Sequence, residues 1–539
     1  MPDRRKRLAL LAAIMGSFVV GLDATAVNVA LPAIRADLGG GLAGQQWVSN
    51  AYLLALGSLI LVGGSLGDVF GERRVFSIGV AGFGLVSLLC AVAPSIEVLV
   101  ACRTLQGAFG ALLTPSALAV LVAVFPKNER GAAIGSWTAW GGIATVIGPL
   151  AGGFLVQTVS WRLIFAVNIP FVVITLMLVA RAVPARDRGA AHARVDWLGA
   201  ALTFFGLAGP VLALIRQPVV GWSSFQVWGP ALGGPALLLL FVWYERRSPA
   251  PMLPLDLFKR RNFTVGNLQT FTMYCGLGIT FFLLVLFLQE VAGYRPLEAG
   301  VALMPLTLVM FSLSKRTGRL ADRLGPRLFM GFGPLTAALG LALMLRLDAH
   351  VSYLTVLLPA LLLFAIGLAC TVAPLTAAVL SDAEESNAGI ASGVNNAIAR
   401  IAGLLAIAAV GAVISAQFTS SLNAQLAGVP LTAQDRTVVA QARSQTLTSV
   451  SPSRAGTQVS LAVQIASVDA FHTGIEIASS LVALGGLIGL AGIRNPRRVV
   501  QCEDCAGGQL AGQPLDAARP RASGCATKTP SGVQPHGRV

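Results

Sequence analysis

Long apolar runs separated by short polar stretches repeat along the whole chain, and most are too long to be strands or the buried helices of a soluble core. A bilayer-spanning helix needs about 20 mostly apolar residues. On that measure the pattern predicts fourteen spans, at 8 to 31, 46 to 66, 75 to 93, 98 to 125, 131 to 156, 163 to 183, 197 to 215, 226 to 244, 264 to 288, 297 to 314, 328 to 345, 353 to 380, 388 to 415 and 471 to 493. The expected fold is therefore an all-α polytopic membrane protein. The polar stretch 416–470, rich in Ser, Thr, Gln and Ala, reads as an external loop with short helices, and residues 495–539 read as a disordered tail.

Composition agrees with the pattern. Of the 539 residues 55% are hydrophobic and 12% charged, with a mean hydropathy of +0.74, whereas a soluble domain carries about a quarter charged residues. Seven cysteines are too sparse for a secreted disulfide scaffold, and Cys90, Cys102, Cys275 and Cys370 fall inside apolar runs, where they serve as small hydrophobes. The tail pair Cys502 and Cys505, with Cys525, falls short of a zinc constellation, so no metal is expected.

The net charge of +15 would suggest nucleic acid in a soluble protein. Here the basic residues form short clusters between apolar runs, so the lipid bilayer is the expected partner and nucleic acid is not. Most of the 39 Lys and Arg fall on the N-terminus, alternate loops and the tail, which places both termini on the cytoplasmic side of the cell membrane. Arg103 and Arg400 alone fall within spans. The basic N-terminus and first run resemble a signal peptide, but the run outlasts an h-region and is read as a retained first helix. Arg outnumbers Lys 34 to 5, a bias expected of a high-GC bacterial genome.

An internal repeat organises the spans. Gly64, Asp68, Gly71 and Arg73, followed by Arg74, recur 254 residues later as Gly318, Asp322, Gly325 and Arg327, with Arg323 beside the second Asp. Two such loops at equivalent topological places divide the chain into a six-helix half (1–183), an inserted two-helix segment (184–262), a second six-helix half that includes the external loop (263–494) and the tail. Glycine permits the tight turn, Asp can accept from a helix N-terminus, and the basic residues face anionic headgroups.

Ionisable and small residues within the spans supply the candidate chemistry. Asp23 puts a carboxylate among apolar neighbours, with Thr25 and Asn28 nearby as hydrogen-bonding groups, and it can exchange a proton if its surroundings alternate between wet and dry. A carboxylate near the outer interface holding a helix end fits the same residues. Arg103 and Gln106 share one face of the fourth span, and an Arg in hydrocarbon needs a partner, acidic or backbone. Gly135, Gly148, Pro149, Gly152 and Gly153 on the fifth span permit close helix approach and a kink. Asn395, Asn396 and Arg400 bring polar groups into the thirteenth, lining a central path or steadying packing, and Gln289 and Glu290 read as an interfacial cap.

These motifs together resemble the major facilitator superfamily, specifically its fourteen-helix drug:proton antiporter branch, the EmrB/QacA-like transporters, over roughly residues 8–494. The resemblance implies proton-driven export of lipophilic drugs or antibiotics by alternating access from a monomer. It implies that Asp23 and Arg103 couple protons and that the two Gly-Asp-Gly-Arg loops gate the cytoplasmic side. The fifth-span glycines would be the antiporter motif, and Thr25, Asn28, Gln106, Asn395, Asn396 and Arg400 would face the cavity. Val69 and Glu72 stand where the family has basic residues, implying a weaker charge network in the first loop, and Ala144 stands where Gly is usual. A dedicated exporter of one metabolite or lipid, or a non-transporting sensor, would use the same scaffold. There is no GxxxxGK[ST], HExxH or Ser-His-Asp set, so neither a cofactor nor an enzyme is expected.

Overall fold

The computed structural model describes residues 3–183, 195–248, 251, 253, 255–381 and 388–495, all within one compact unit. Among the described residues the regular structure is entirely helical: α1 (Asp3–Leu38), α2 (Gly41–Phe70), α3 (Glu72–Ala91), α4 (Ile96–Val124), α5 (Lys127–Thr158), α6 (Leu163–Ala166), α7 (Asn168–Ala182), α8 (Trp197–Val220), α9 (Phe225–Glu245), α10 (Arg261–Leu286), α11 (Pro296–Ala302), α12 (Met304–Leu324), α13 (Pro326–Leu343), α14 (Leu358–Ser381), α15 (Ala388–Gln425), α16 (Ala433–Gln445) and α17 (Thr457–Gly492). Twelve helical segments of the described residues are long and apolar enough to cross a membrane. The two other expected segments, 46–66 and 131–156, lie on α2 and α5, helices of 30 and 32 residues with some side chains outside the described set. The tail from 496, with its cysteines, lies outside the described residues.

Local chemistry sets the breaks. Pro170 has no N–H to donate to Ala166, so the sixth expected span divides into α6 and α7, and Pro305 likewise separates α11 from α12. Ser95 caps α4 by accepting from the Val98 amide. Helices α15 and α17 have 38 and 36 residues, roughly 55 Å each at 1.5 Å per residue, well beyond a hydrocarbon core of about 30 Å. Much of the stretch expected to be an external loop is therefore an extension of these two helices, and only α16 is a separate short helix. It begins with a reciprocal Thr432/Asp435 capping box.

Helices α1 to α5 and α7 pack mainly on one another, as do α10 and α12 to α17, while α8 and α9 pair together and α8 leans on α2 and α15. The buried faces are apolar, and large hydrophobics such as Leu85, Phe154, Phe205, Leu239 and Leu354 point outward as they would toward lipid. The two helix sets meet where α2 packs on α15 and α1 on α10, and the short α11, which leads into α12, packs across onto α5. Several of these contacts lie at the end remote from Gly71 and Gly325. Arg35 forms an ion pair with Glu290, Gln289 Nε2 donates to the Val29 carbonyl at 3.0 Å, Gln46 Nε2 to the Ile407 carbonyl at 2.6 Å, and the Leu297 amide to Gln157 Oε1 at 3.3 Å. Glu290, expected to cap an interface, thus joins the two sets.

Candidate functional site

The residue types that are costly in a membrane converge on one point. Asp23 from α1 and Arg103 and Gln106 from α4 are wholly buried with Ser87 of α3 and Asn168 of α7. Arg103 Nη1 donates to Asp23 Oδ2 at 2.5 Å and to Gln106 Oε1 at 2.6 Å. Asp23 Oδ1 accepts from Gln106 Nε2 at 3.0 Å and from Asn168 Nδ2 at 3.1 Å. Ser87 Oγ accepts from Gln106 Nε2 at 2.8 Å and from Asn168 Nδ2 at 3.4 Å. Arg103 Nε reaches the Val48 carbonyl at 3.2 Å, and its guanidinium lies 4.2 Å from the Tyr52 ring centre and 5.7 Å from that of Phe165.

This is a desolvated ion pair whose carboxylate is held by three donors, an arrangement that survives burial only because its lone pairs are satisfied. Its hydrogen bonds join α1, α2, α3, α4 and α7, all of one half.

The glycine motif works by contact. A Cβ on Gly148 would stand 1.9 Å from Thr25 Oγ1, and one on Gly152 would stand 3.0 Å from the Ala26 carbonyl oxygen, so α5 lies flush on α1. One on Gly153 would meet the Pro296 carbonyl at 2.6 Å, and Gly300 approaches the Pro149 carbonyl as closely, so the same helix also touches α11. The surroundings of Gly135 lie outside the described residues.

The repeated loops adopt one backbone conformation. Gly71 (φ 87°, ψ 135°) ends α2 and starts α3, and Gly325 (φ 90°, ψ 149°) ends α12 and starts α13. Only glycine adopts this region readily. Arg73 donates to the Ala180 carbonyl at 3.4 Å, near the end of α7, and Arg327 Nε to the Leu490 carbonyl at 2.7 Å, near the end of α17. In each half the loop arginine thus caps the last helix of its own half, where a cation meets the negative end of the dipole. Gly64 lies beside Pro115, while Gly318 and Arg323 lie on α12 and Arg74 on α3. The side chains of Asp68 and Asp322 lie outside the described residues.

Of the residues expected at a cavity, Gln106 belongs to the Asp23 network, and Thr25 bonds back to the Gly21 carbonyl at 2.9 Å while packing on Gly148. Asn395 Nδ2 donates to Asn267 Oδ1 at 3.0 Å and to Thr270 Oγ1 at 2.8 Å on α10. Arg400 lies across the seam, its Cβ 3.2 Å from where a Gly57 Cβ would be. Asn28 and Asn396 are half-buried. Ser87, Asn168 and Tyr52 were missed by the sequence reading, although an Asn within an apolar run is a signal in itself.

Residues 13–407 match the family model described as Major Facilitator Superfamily. The chain is 37% identical over 412 residues to the puromycin resistance protein pur8 of Streptomyces alboniger, covering 76% of this chain and 81% of that one. It is 35% identical over 429 residues to the multidrug resistance protein Stp of Mycobacterium tuberculosis, covering 79% of each. Its fold is similar to that of a bacterial homologue of the human lysosomal transporter Spinster, with a TM-score of 0.63 at 15% identity, covering 92% of this chain and all of that one. With its many spans, its paired loops and these relatives, the chain belongs to the Major Facilitator Superfamily and is a membrane transporter, not an enzyme.

Proposed function

We propose that the chain is a proton-driven exporter of lipophilic drugs or antibiotics, acting as a monomer with fourteen spans and both termini in the cytoplasm. The observation that carries this reading is the wholly buried Asp23–Arg103 pair with its amide and hydroxyl partners. Asp23 is the proton carrier in this reading, and Arg103 the cation released when Asp23 is neutralised. The relatives named for multidrug and puromycin resistance support export of such compounds. With the termini inside, the end joined by Arg35 and Glu290 faces outward, so this arrangement is closed to the exterior. The loops at Gly71 and Gly325 then gate the cytoplasmic side, and the flush contact of α5 with α1 and α11 forms the antiporter motif's seal. Asn28, Asn396 and Arg400 remain the candidates for substrate contact.

The test is dye or drug accumulation in an efflux-deficient bacterium, with and without a protonophore, beside Asp23→Asn. Expression should lower accumulation, and the protonophore and the substitution should each abolish that effect. Undiminished proton-coupled efflux by Asp23→Asn would remove Asp23 from the mechanism.

A further inference from the structure

The inserted pair encloses a feature that the transport reading leaves unused. A cavity of about 470 Å³ lies between α2 and α4 on one side and α8 and α9 on the other, with Trp47, Phe204, Leu212, Gly233 and Leu237 in its wall. Its volume falls in the range of small-ligand sites. The wall is almost wholly apolar: its one hydroxyl, that of Thr104, is committed to the Val100 carbonyl at 3.0 Å, and the Trp47 indole is its other polar side chain. Three of the four helices that form it are candidate membrane spans, so the medium that reaches it is lipid chain rather than water.

The groove also has a polar end. Arg216 Nη1 donates to Gln226 Oε1 at 2.5 Å, bridging α8 and α9. Arg216 lies one helical turn after Leu212, and Gln226 one turn before Pro230, another wall residue, each on the same helix face as that wall residue. An exposed guanidinium therefore stands at the outlet of an apolar channel, the charge pattern that complements an anionic amphiphile. The floor is open as well: a Cβ on Gly233 would meet nothing within 4 Å, unlike one on Gly209 or Gly234, which the neighbouring helix would block.

We propose that this groove is a binding site for an anionic phospholipid, with an acyl chain between α2, α4, α8 and α9 and the phosphate on Arg216. The bound lipid wedges the inserted pair against α2, next to the seam that α2 shares with α15. The occupant is a constituent of the bilayer, so the proposal stands or falls independently of any exported compound.

The experiment is native mass spectrometry of the full chain released from nanodiscs containing equal amounts of phosphatidylglycerol and phosphatidylcholine. The expected result is retention of phosphatidylglycerol about tenfold above phosphatidylcholine. Arg216→Gln should bring that ratio close to one while leaving lipid bound. Gly233→Phe should lower retention of both lipids, and Leu237→Trp, which fills the wall from a different position, should do the same if the first variant folds poorly. Equal retention of the two lipids by the unsubstituted chain, or unchanged retention by both filling variants, would overturn the proposal. Filling variants that lower drug efflux but not lipid retention would instead make the groove a substrate route, and would overturn it equally.

Discussion

The two halves share a scaffold but differ in what they bury. Gly71 and Gly325 turn the chain alike, and Arg73 and Arg327 each cap the last helix of their own half. Yet the first half encloses a charged pair, Asp23 and Arg103, while the second closes around amides and hydroxyls, with Asn395 bonded to Asn267 and Thr270 and Gln269 Nε2 to the Met330 carbonyl at 2.6 Å. Losing one partner of a neutral hydrogen bond leaves an unpaired dipole, whereas losing one partner of a buried ion pair leaves an uncompensated charge. The repeat thus supplies the turn geometry twice and the buried charged pair once.

The largest effect should come from breaking the charged pair on one side only. Arg103→Leu leaves Asp23 buried without its cation, and losing one partner of such a pair typically costs about 3–5 kcal/mol. Its melting temperature should fall sharply and coupled efflux should vanish. The double variant Asp23→Leu with Arg103→Leu should recover most of the stability and none of the transport. Recovery of transport would show that the pair serves packing alone.

A finer contrast sets Asn168 against Asn395, two buried or half-buried amides in opposite halves. Each alanine substitution removes hydrogen bonds worth about 1–3 kcal/mol where a partner is left unsatisfied. Only Asn168→Ala touches Asp23, so only that variant should displace the pH profile of efflux. If Asn395→Ala displaces it by as much, the division of labour between the halves is wrong.

Much of the scaffold was legible in advance because its signals are periodic or costly. The 254-residue repeat predicted two equivalent turns, and the glycine conformations at 71 and 325 match each other closely. Asp23 and Arg103 stood out because few ionisable residues lie in apolar runs. Thr25 was grouped with Asp23 by proximity in sequence, but two residues along a helix is about 200° of rotation, so it faces Gly148 instead. Asn395 and Arg400 are five apart and likewise diverge, one toward α10 and the other toward α2. Ser87 and Asn168 escaped notice because their role depends on which helices meet, a tertiary fact that no single-span pattern carries.

Equivalence of the two turns gives a third comparison. Alanine at Gly71 or Gly325 forces a side chain into a left-handed extended conformation, which costs on the order of 1–3 kcal/mol. A Cβ at Gly325 would also crowd the Asn495 side chain at 2.4 Å. Thermal unfolding should therefore show Gly325→Ala as destabilised at least as much as Gly71→Ala. The opposite order would mean that the first loop carries strain its backbone does not reveal.

The smallest effect concerns the segment around α16, an addition of the second half that sits against the other half where Ser444 meets Gly41. Asp435 accepts from Thr432 Oγ1 at 2.7 Å, from the Thr432 amide at 3.0 Å and from the Gly456 amide at 3.2 Å. Those donors hold its carboxyl below the usual carboxylate range. Because the folded value lies below the unfolded one, near 3.9, the stabilisation is complete above about pH 4 and is lost as pH falls through the lower folded value. Amide exchange at Thr432 and Gly456, corrected for its intrinsic rate, should stay protected down to about pH 4 and accelerate below it. Asp435→Ala, which removes both acceptor oxygens, should expose both amides even at neutral pH while the network around Asp23 keeps its protection. If both segments loosen together, α16 is a strut between the halves and not a local cap on one of them.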